Sequence, residues 1–133
     1  MNEKNPFEDA PVIFSYTRAQ AIEDGVLVDL SAWARETGFT IPVACTAAVW
    51  HGYIVPPAGT EALGQSERGR AHDLLCMLHL AITRAKAEHT DQLLFQVLFL
   101  QAPRQHVEVT LKAHCGPGDQ GEAVLTIMQP HED

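Results

Sequence analysis

The most regular hydrophobic pattern in the chain predicts one long helix over residues 66–89. Apolar residues recur at intervals of three and four from Ala71 onward, the spacing that places side chains on one face of an α-helix. Ser66 precedes this pattern and supplies a hydroxyl that caps a first turn. Met77 and Leu80 fall outside the face, so the helix is apolar on more than one side, as in a helix that is sandwiched in the core or covered by a partner. The predicted core face consists of Ala71, Leu74, Leu75, Leu78, Ala81, Ile82 and Ala85.

Shorter helices are predicted in the N-terminal half. Thr17 and Gln20 match a capping box, in which each side chain accepts from the backbone of the other residue, so a short helix is expected to follow and to end at Gly25. Ser31 is the next candidate cap, for a helix over residues 32–37. A further helix is expected over residues 43–50, with Pro42 near its first turn. A proline is tolerated there because the N–H that it lacks would have no hydrogen-bond partner within the helix.

The last third of the chain changes to the pattern of strands. Residues 93–100 are almost continuously apolar, which predicts a central strand covered on both faces. Residues 106–114 alternate between apolar and polar, as in a half-buried strand, and residues 123–128 form a third apolar segment after a glycine-rich loop. Residues 26–28 are apolar and are expected to form one short strand or a buried connector. The pattern predicts an α+β fold, with N-terminal helices packed on a C-terminal antiparallel meander of about three strands.

Length, composition and charge narrow the class of protein. The 133 residues are 46% hydrophobic and predict a single domain over residues 1–133, with a loose polar arm over residues 1–10. The net charge of -8 argues against a nucleic-acid partner, because binding to phosphates needs clustered Lys and Arg. No apolar run is long enough to span a bilayer, and the first residues lack the pattern of a signal peptide. With three cysteines in addition, we expect reduced thiols and a cytoplasmic location.

One helical stripe combines residue types that bind metal ions. His72, Cys76 and His79 occupy positions i, i+4 and i+7 of the long helix, and two imidazoles with a thiolate are ligands that zinc accepts. The pattern also fits a boundary face in which Cys76 packs as a small apolar residue and both histidines contact solvent. No other element supplies an identifiable further ligand, and no cofactor is expected.

Two further groups of side chains are candidate binding residues. Arg68 and Arg70 lie in the first turn of the long helix, where a cation opposes the helix dipole. They therefore indicate either a site for an acidic ligand or a frayed helix start with local acidic partners. The second group is a candidate partner surface of two aromatic residues with polar groups and two apolar residues outside the core face of the long helix. The aromatic members alternatively anchor helix packing. This candidate partner surface consists of Trp50, Tyr53, Met77 and Leu80.

Four segments together resemble a known family. They are VIFSYTRAQAIEDGVLVDLS (12–31), GFTIPVACTAAVW (38–50), DQLLFQVLF (91–99) and VTLKAHCGPGDQGEAVLTIMQPHED (109–133). They are similar to an uncharacterised family of small acidic bacterial proteins, a domain of unknown function that is often encoded on plasmids and integrative elements. The resemblance implies a cytosolic accessory protein of mobile DNA and supplies neither an activity nor functional residues.

Two functions from different classes follow from these observations. The first is a non-enzymatic interaction protein, a homodimer or a partner-binding module, indicated by the surplus apolar surface and the lack of a catalytic motif. The second is a small hydrolase or nuclease that uses histidines and carboxylates near the sheet. A cleft in which several of the candidate histidines converge would favour the enzyme, whereas a flat apolar or acidic face would favour the interaction protein. Those histidines are His72, His79, His106 and His114.

Overall fold

The computed structural model describes residues 16–85 and 91–132 and consists of helices packed on one five-stranded sheet. The strands are β1 (Leu27–Asp29), β2 (Val43–Thr46), β3 (Gln92–Ala102), β4 (Gln105–Pro117) and β5 (Ala123–Met128). The helices are α1 (Arg18–Glu23), α2 (Ser31–Glu36), the single turn α3 (Ala47–Val49), a π-helix over Trp50–Ile54, a 3₁₀ turn over Glu61–Leu63, and α4 (Glu67–Ala85). The predicted α+β class is confirmed. The predicted arm over residues 1–10 lies outside the described residues.

The sheet has five strands and is mixed, so it is not the predicted three-stranded antiparallel meander, which is present only as its part β3–β4–β5. Its strand order is β1-β2-β5-β4-β3, with β2 parallel to β5 and every other neighbouring pair antiparallel. The two additional strands come from the N-terminal half. Strand β2 occupies the first half of the segment 43–50 in which a helix is predicted, whereas α3 and the start of the π-helix occupy the second half. Residues 43–45 are fully buried between β1 and β5. A short apolar run of this kind has no period that separates a strand from a helix.

The position of β3 also differs from the prediction of a central strand. This strand is at the edge of the sheet, with β4 as its one neighbour among the described strands. Its inner face is buried in the core through Phe95, Val97 and Phe99. On its outer face Leu94 is 59% and Leu98 is 58% exposed. The apolar run is therefore covered on one face only.

Helix α1 is placed on the outer face of the sheet by polar contacts. The predicted capping box is present, with Thr17 and Gln20 each accepting from the backbone N–H of the other. The Arg18 guanidinium reaches the sheet and donates to the Thr126 hydroxyl at 2.7 Å. Asp119, from the β4–β5 loop, accepts from backbone N–H groups at the start of α1, and these bonds lower the pKa of its carboxyl.

Helix α4 covers the inner face and supplies much of the core. It packs against β3, and four residues of the predicted core face are fully buried, whereas Ile82 is 40% exposed. Helix α2 begins one residue earlier than predicted, at Ser31, and the predicted end of α4 near residue 89 lies outside the described residues. None of the helices in the described residues has the length and apolar content needed to cross a membrane. The four buried residues are Ala71, Leu74, Leu75 and Leu78.

Candidate interaction surface

The open edge of β3 presents backbone groups whose direction follows from the strand register. The Cys115 N–H donates to the Asp91 carbonyl at 2.8 Å, which continues the β3–β4 register by one position. Hydrogen-bonded and non-hydrogen-bonded pairs alternate along an antiparallel ladder. Odd-numbered residues of β3 are therefore bonded to β4. The N–H and C=O groups of Leu94, Gln96 and Leu98 point away from β4, toward the open edge.

Before Leu100 this edge lacks the features that usually protect a terminal strand, since the irregularity of β3 lies between Leu100 and Ala102. Natural edge strands carry charged residues, prolines or bulges that prevent pairing with another chain. From Gln92 to Gln101 the sequence is QLLFQVLFLQ, without a charge, proline or glycine. Among the residues that the structure describes, none bonds to the outward backbone groups of residues 94, 96 and 98. The stretch is thus a template for another strand.

One end of the edge is closed by a buried arginine. Arg70 is 1% exposed, and its Nη1 donates to the Leu100 carbonyl at 2.7 Å. This bond agrees with the register, since Leu100 belongs to the even-numbered, outward-facing set. The available edge therefore ends before Leu100.

Exposed apolar side chains lie on both sides of this open edge. Leu94 and Leu98 stand on the outer face of the sheet. On the inner side, Met77 and Leu80 of α4 line a groove of about 400 Å³ together with Phe95. We call the open edge, its two exposed leucines and this groove the β3-edge surface.

The four residues predicted as a partner surface separate into two pairs. Met77 and Leu80 are exposed and belong to the β3-edge surface. Trp50 and Tyr53 are half-buried and pack on other aromatic rings, since Trp50 stacks on Trp33 at 6.3 Å and Tyr53 stacks on Phe99 at 5.6 Å. Sequence reasoning missed the edge residues 94, 96 and 98. No local signal marks them as edge residues, because the uncharged run from 92 to 101 is equally typical of a central strand.

The two arginines predicted to bind an acidic ligand have different environments. Arg68 is exposed and donates from Nη2 to both carboxylate oxygens of Glu36, at 2.7 and 2.8 Å. Arg70 is in the interior, where its guanidinium lies 4.9 Å from the Phe99 ring centre, and burial lowers its pKa. The guanidinium donates to four oxygens, those of the Tyr53 carbonyl, the Gln65 side chain, the Leu100 carbonyl and the Gln101 side chain. The acidic-ligand site stays a prediction, with Arg68 as its accessible member.

A comparison with protein families gives a match over the chain. A model of a family of unknown function (DUF6573) matches residues 1–133. The chain belongs to this family. Neither the curated proteins nor the solved structures give a match. The membership confirms that the chain is a domain of unknown function, and it assigns no activity to any residue.

The residues predicted to bind metal do not form a cluster in the described part of the chain. Cys76 Sγ lies 3.4 Å from His72 Nε2, whereas the His79 ring packs edge-on against Phe39 with centres 5.5 Å apart. Within residues 16–85 and 91–132, no group of three or more His, Cys, Asp or Glu residues is arranged to hold a metal ion. The zinc site at His72, Cys76 and His79 stays a prediction.

The histidines considered for an enzyme are on separate elements. His72 and His79 are on α4, whereas His106 and His114 are near opposite ends of β4. At ~3.3 Å per residue, the two β4 positions are roughly 26 Å apart. His114 Nε2 lies 3.6 Å from Asp91 Oδ2, a pair at the surface. This arrangement does not bring the β4 histidines into one cleft.

Proposed function

We propose that this protein is a non-enzymatic interaction protein that forms a homodimer through the β3-edge surface. The observation that carries the proposal is the open edge of β3, where outward backbone groups lie between the exposed side chains of Leu94 and Leu98. The family resemblance supports a cytoplasmic accessory role in bacterial mobile elements, and it agrees with membership of a family of unknown function.

A strand added from a second copy would bond to the outward backbone groups and would also contact the exposed leucines. A strand that pairs with an exposed edge gains main-chain hydrogen bonds, and its alternate side chains supply specificity. Full burial of an exposed leucine contributes roughly 1.5–3 kcal/mol from the hydrophobic effect, and Leu94 and Leu98, which are already partly buried, would each gain a part of it. The uncharged edge favours such pairing, because the net charge of -8 is carried by other parts of the chain.

The other classes of function have less support. His106 and His114 are well separated on β4, so this pair does not form the cleft of converging histidines that would favour the hydrolase or nuclease. A nucleic-acid partner is disfavoured by the net charge of -8, since phosphate binding relies on basic residues.

Charged substitutions on the edge test the proposal. We expect the wild-type chain to sediment at twice its mass of 14.6 kDa, and the double variant Leu94→Lys, Leu98→Lys to sediment as a monomer. Lysines at these positions would place like charges together in the interface and remove the apolar contact. Sedimentation equilibrium over the micromolar range measures both masses, and circular dichroism establishes that each variant is folded.

A matched control separates the edge from general surface hydrophobicity. Leu63 is 52% exposed and lies on the 3₁₀ turn rather than on β3, so Leu63→Lys should leave the dimer intact. A wild-type chain that remains a monomer throughout the concentration range would contradict the proposal. So would a dimer that both edge lysines leave unchanged.

A further inference from the structure

We infer that the two copies pair antiparallel along β3 with Gln96 opposite Gln96 on a two-fold axis, which makes one continuous sheet. This register rests on the proposed homodimer and specifies how its surface is used. The inference rests on three observations. They are the directions of the β3 backbone groups, the side chains that would face each other across the two copies, and the charged residues of β4.

The directions of the backbone groups limit the registers available. Only even-numbered residues direct N–H and C=O groups to the open edge, so a hydrogen-bonded pair must join two even positions. An axis at Gln96 places Leu94 opposite Leu98 of the second copy. An axis at Leu98 would pair Gln96 with Leu100. This register is disfavoured, because the Leu100 carbonyl already accepts from Arg70.

The side chains favour the same axis. With Gln96 at the centre, each exposed leucine faces a leucine, and the two Gln96 amides face each other with donors and acceptors that are mutually compatible. An axis shifted to Phe95 would place Leu94 opposite Gln96. That register would leave the exposed leucines without apolar partners in the second copy.

The charges on β4 are complementary in this register. Leu98 is paired with Glu108 and Leu94 with Lys112 across the β3–β4 ladder. One row of the outer face would therefore contain Glu108, Leu98, and then Leu94 and Lys112 of the second copy. The leucine pair is bordered by an acid on one side and a base on the other, so the register places no like charges beside it.

The groove on the inner side is compatible with the same axis. Met77 and Leu80 line it beside Phe95 and Gln96, near the middle of the strand. A two-fold axis at Gln96 therefore directs the grooves of both copies toward each other on one side of the sheet. The apolar surface of α4 that lies outside its core face would then be covered by the second copy.

Disulfide trapping tests the register. In a hydrogen-bonded antiparallel pair the Cα atoms are about 5.5 Å apart, within the range of a disulfide. We expect Gln96→Cys, in a chain whose exposed Cys76 and Cys115 are replaced by serine, to become a covalent dimer on mild oxidation. Non-reducing electrophoresis measures the product.

Thr110→Cys in the same background is the matched control. Thr110 is exposed on β4 directly beside Gln96, and in the inferred dimer its two copies are about 14 Å apart, beyond the reach of a disulfide. Cross-linking at Gln96→Cys alone supports the register. If the chain is a dimer by mass but both cysteines cross-link equally, or neither does, the register is wrong and the homodimer stands. A monomeric wild-type chain would overturn both.

Discussion

At the scale of single residues, Arg70 connects three parts of the chain. Its donors bond to the π-helix at Tyr53, to the loop at Gln65, and to the end of β3 at Leu100. A buried guanidinium is costly unless its hydrogen bonds are made. Here they are made to neutral oxygens, so Arg70 stabilises the fold and also closes one end of the β3 edge.

Replacing Arg70 is expected to destabilise the fold strongly. Arg70→Met should lower the free energy of unfolding by about 3 kcal/mol or more, because it leaves buried carbonyl oxygens without donors. Arg68→Met is the control and should cost less than about 1 kcal/mol, because its ion pair with Glu36 is exposed to solvent. Urea denaturation measures both values. Equal costs for the two variants would show that Arg70 does not have this structural role.

Cys45 gives the fold a dependence on alkaline pH. Burial raises the pKa of its thiol from 9.0 to about 12. The folded chain therefore keeps a proton that the unfolded chain releases, and the free energy of unfolding should fall as the pH rises above 9.0 toward 12. The expected slope from this group is about 1.4 kcal/mol per pH unit.

The variant Cys45→Ala isolates this contribution. It should be less stable than the wild type at neutral pH, because it leaves a small cavity in the core. Its stability should nevertheless fall less steeply above the ordinary thiol pKa. Denaturant unfolding at a series of pH values measures the two slopes, and parallel curves would contradict the pKa assigned to the buried thiol.

At the scale of elements, β3 combines a protected and an unprotected set of amides. The odd-numbered residues Phe95 and Val97 bond to β4, whereas Gln96 directs its N–H to the open edge. In a dilute, monomeric chain we expect the Gln96 amide to exchange with solvent much faster than the Val97 amide.

Dimerisation should remove this difference in exchange rate between the Gln96 and Val97 amides. Raising the protein concentration is expected to slow exchange at Gln96 while the Val97 rate stays nearly constant, as measured by hydrogen exchange with NMR detection. The double variant Leu94→Lys, Leu98→Lys should keep the fast rate at both concentrations. A Gln96 amide as protected as Val97 in the monomer would show that the backbone directions assigned here are wrong.

At the scale of the whole molecule, the sheet joins distant parts of the chain. The parallel pairing of β2 with β5 brings Val43 beside Leu125, and Arg18 donates to the Leu125 carbonyl at 2.8 Å. The N-terminal half therefore completes the C-terminal meander instead of only covering it. Helix α4 lies on the inner face and α1 on part of the outer face, and no other described residue covers the β3 edge.

The sequence by itself determined the features whose causes are local. The capping box at Thr17 and Gln20 involves residues of a single turn, and the four buried residues of the α4 core face follow from helical spacing. The strands β4 and β5 follow from their patterns, and so does the α+β class. These predictions are confirmed because neighbouring residues decide them.

Only the tertiary structure decided the features that depend on distant partners. Residues 43–46 form a strand because β1 and β5 bond to their backbone, and no local period records such pairing. The run 93–100 is apolar on both faces whether it is central or terminal, so the sequence could not place β3 at the edge. Arg70 is likewise buried by acceptors from three other segments. In each case the physical reason is that the hydrogen-bond partners lie far away along the chain.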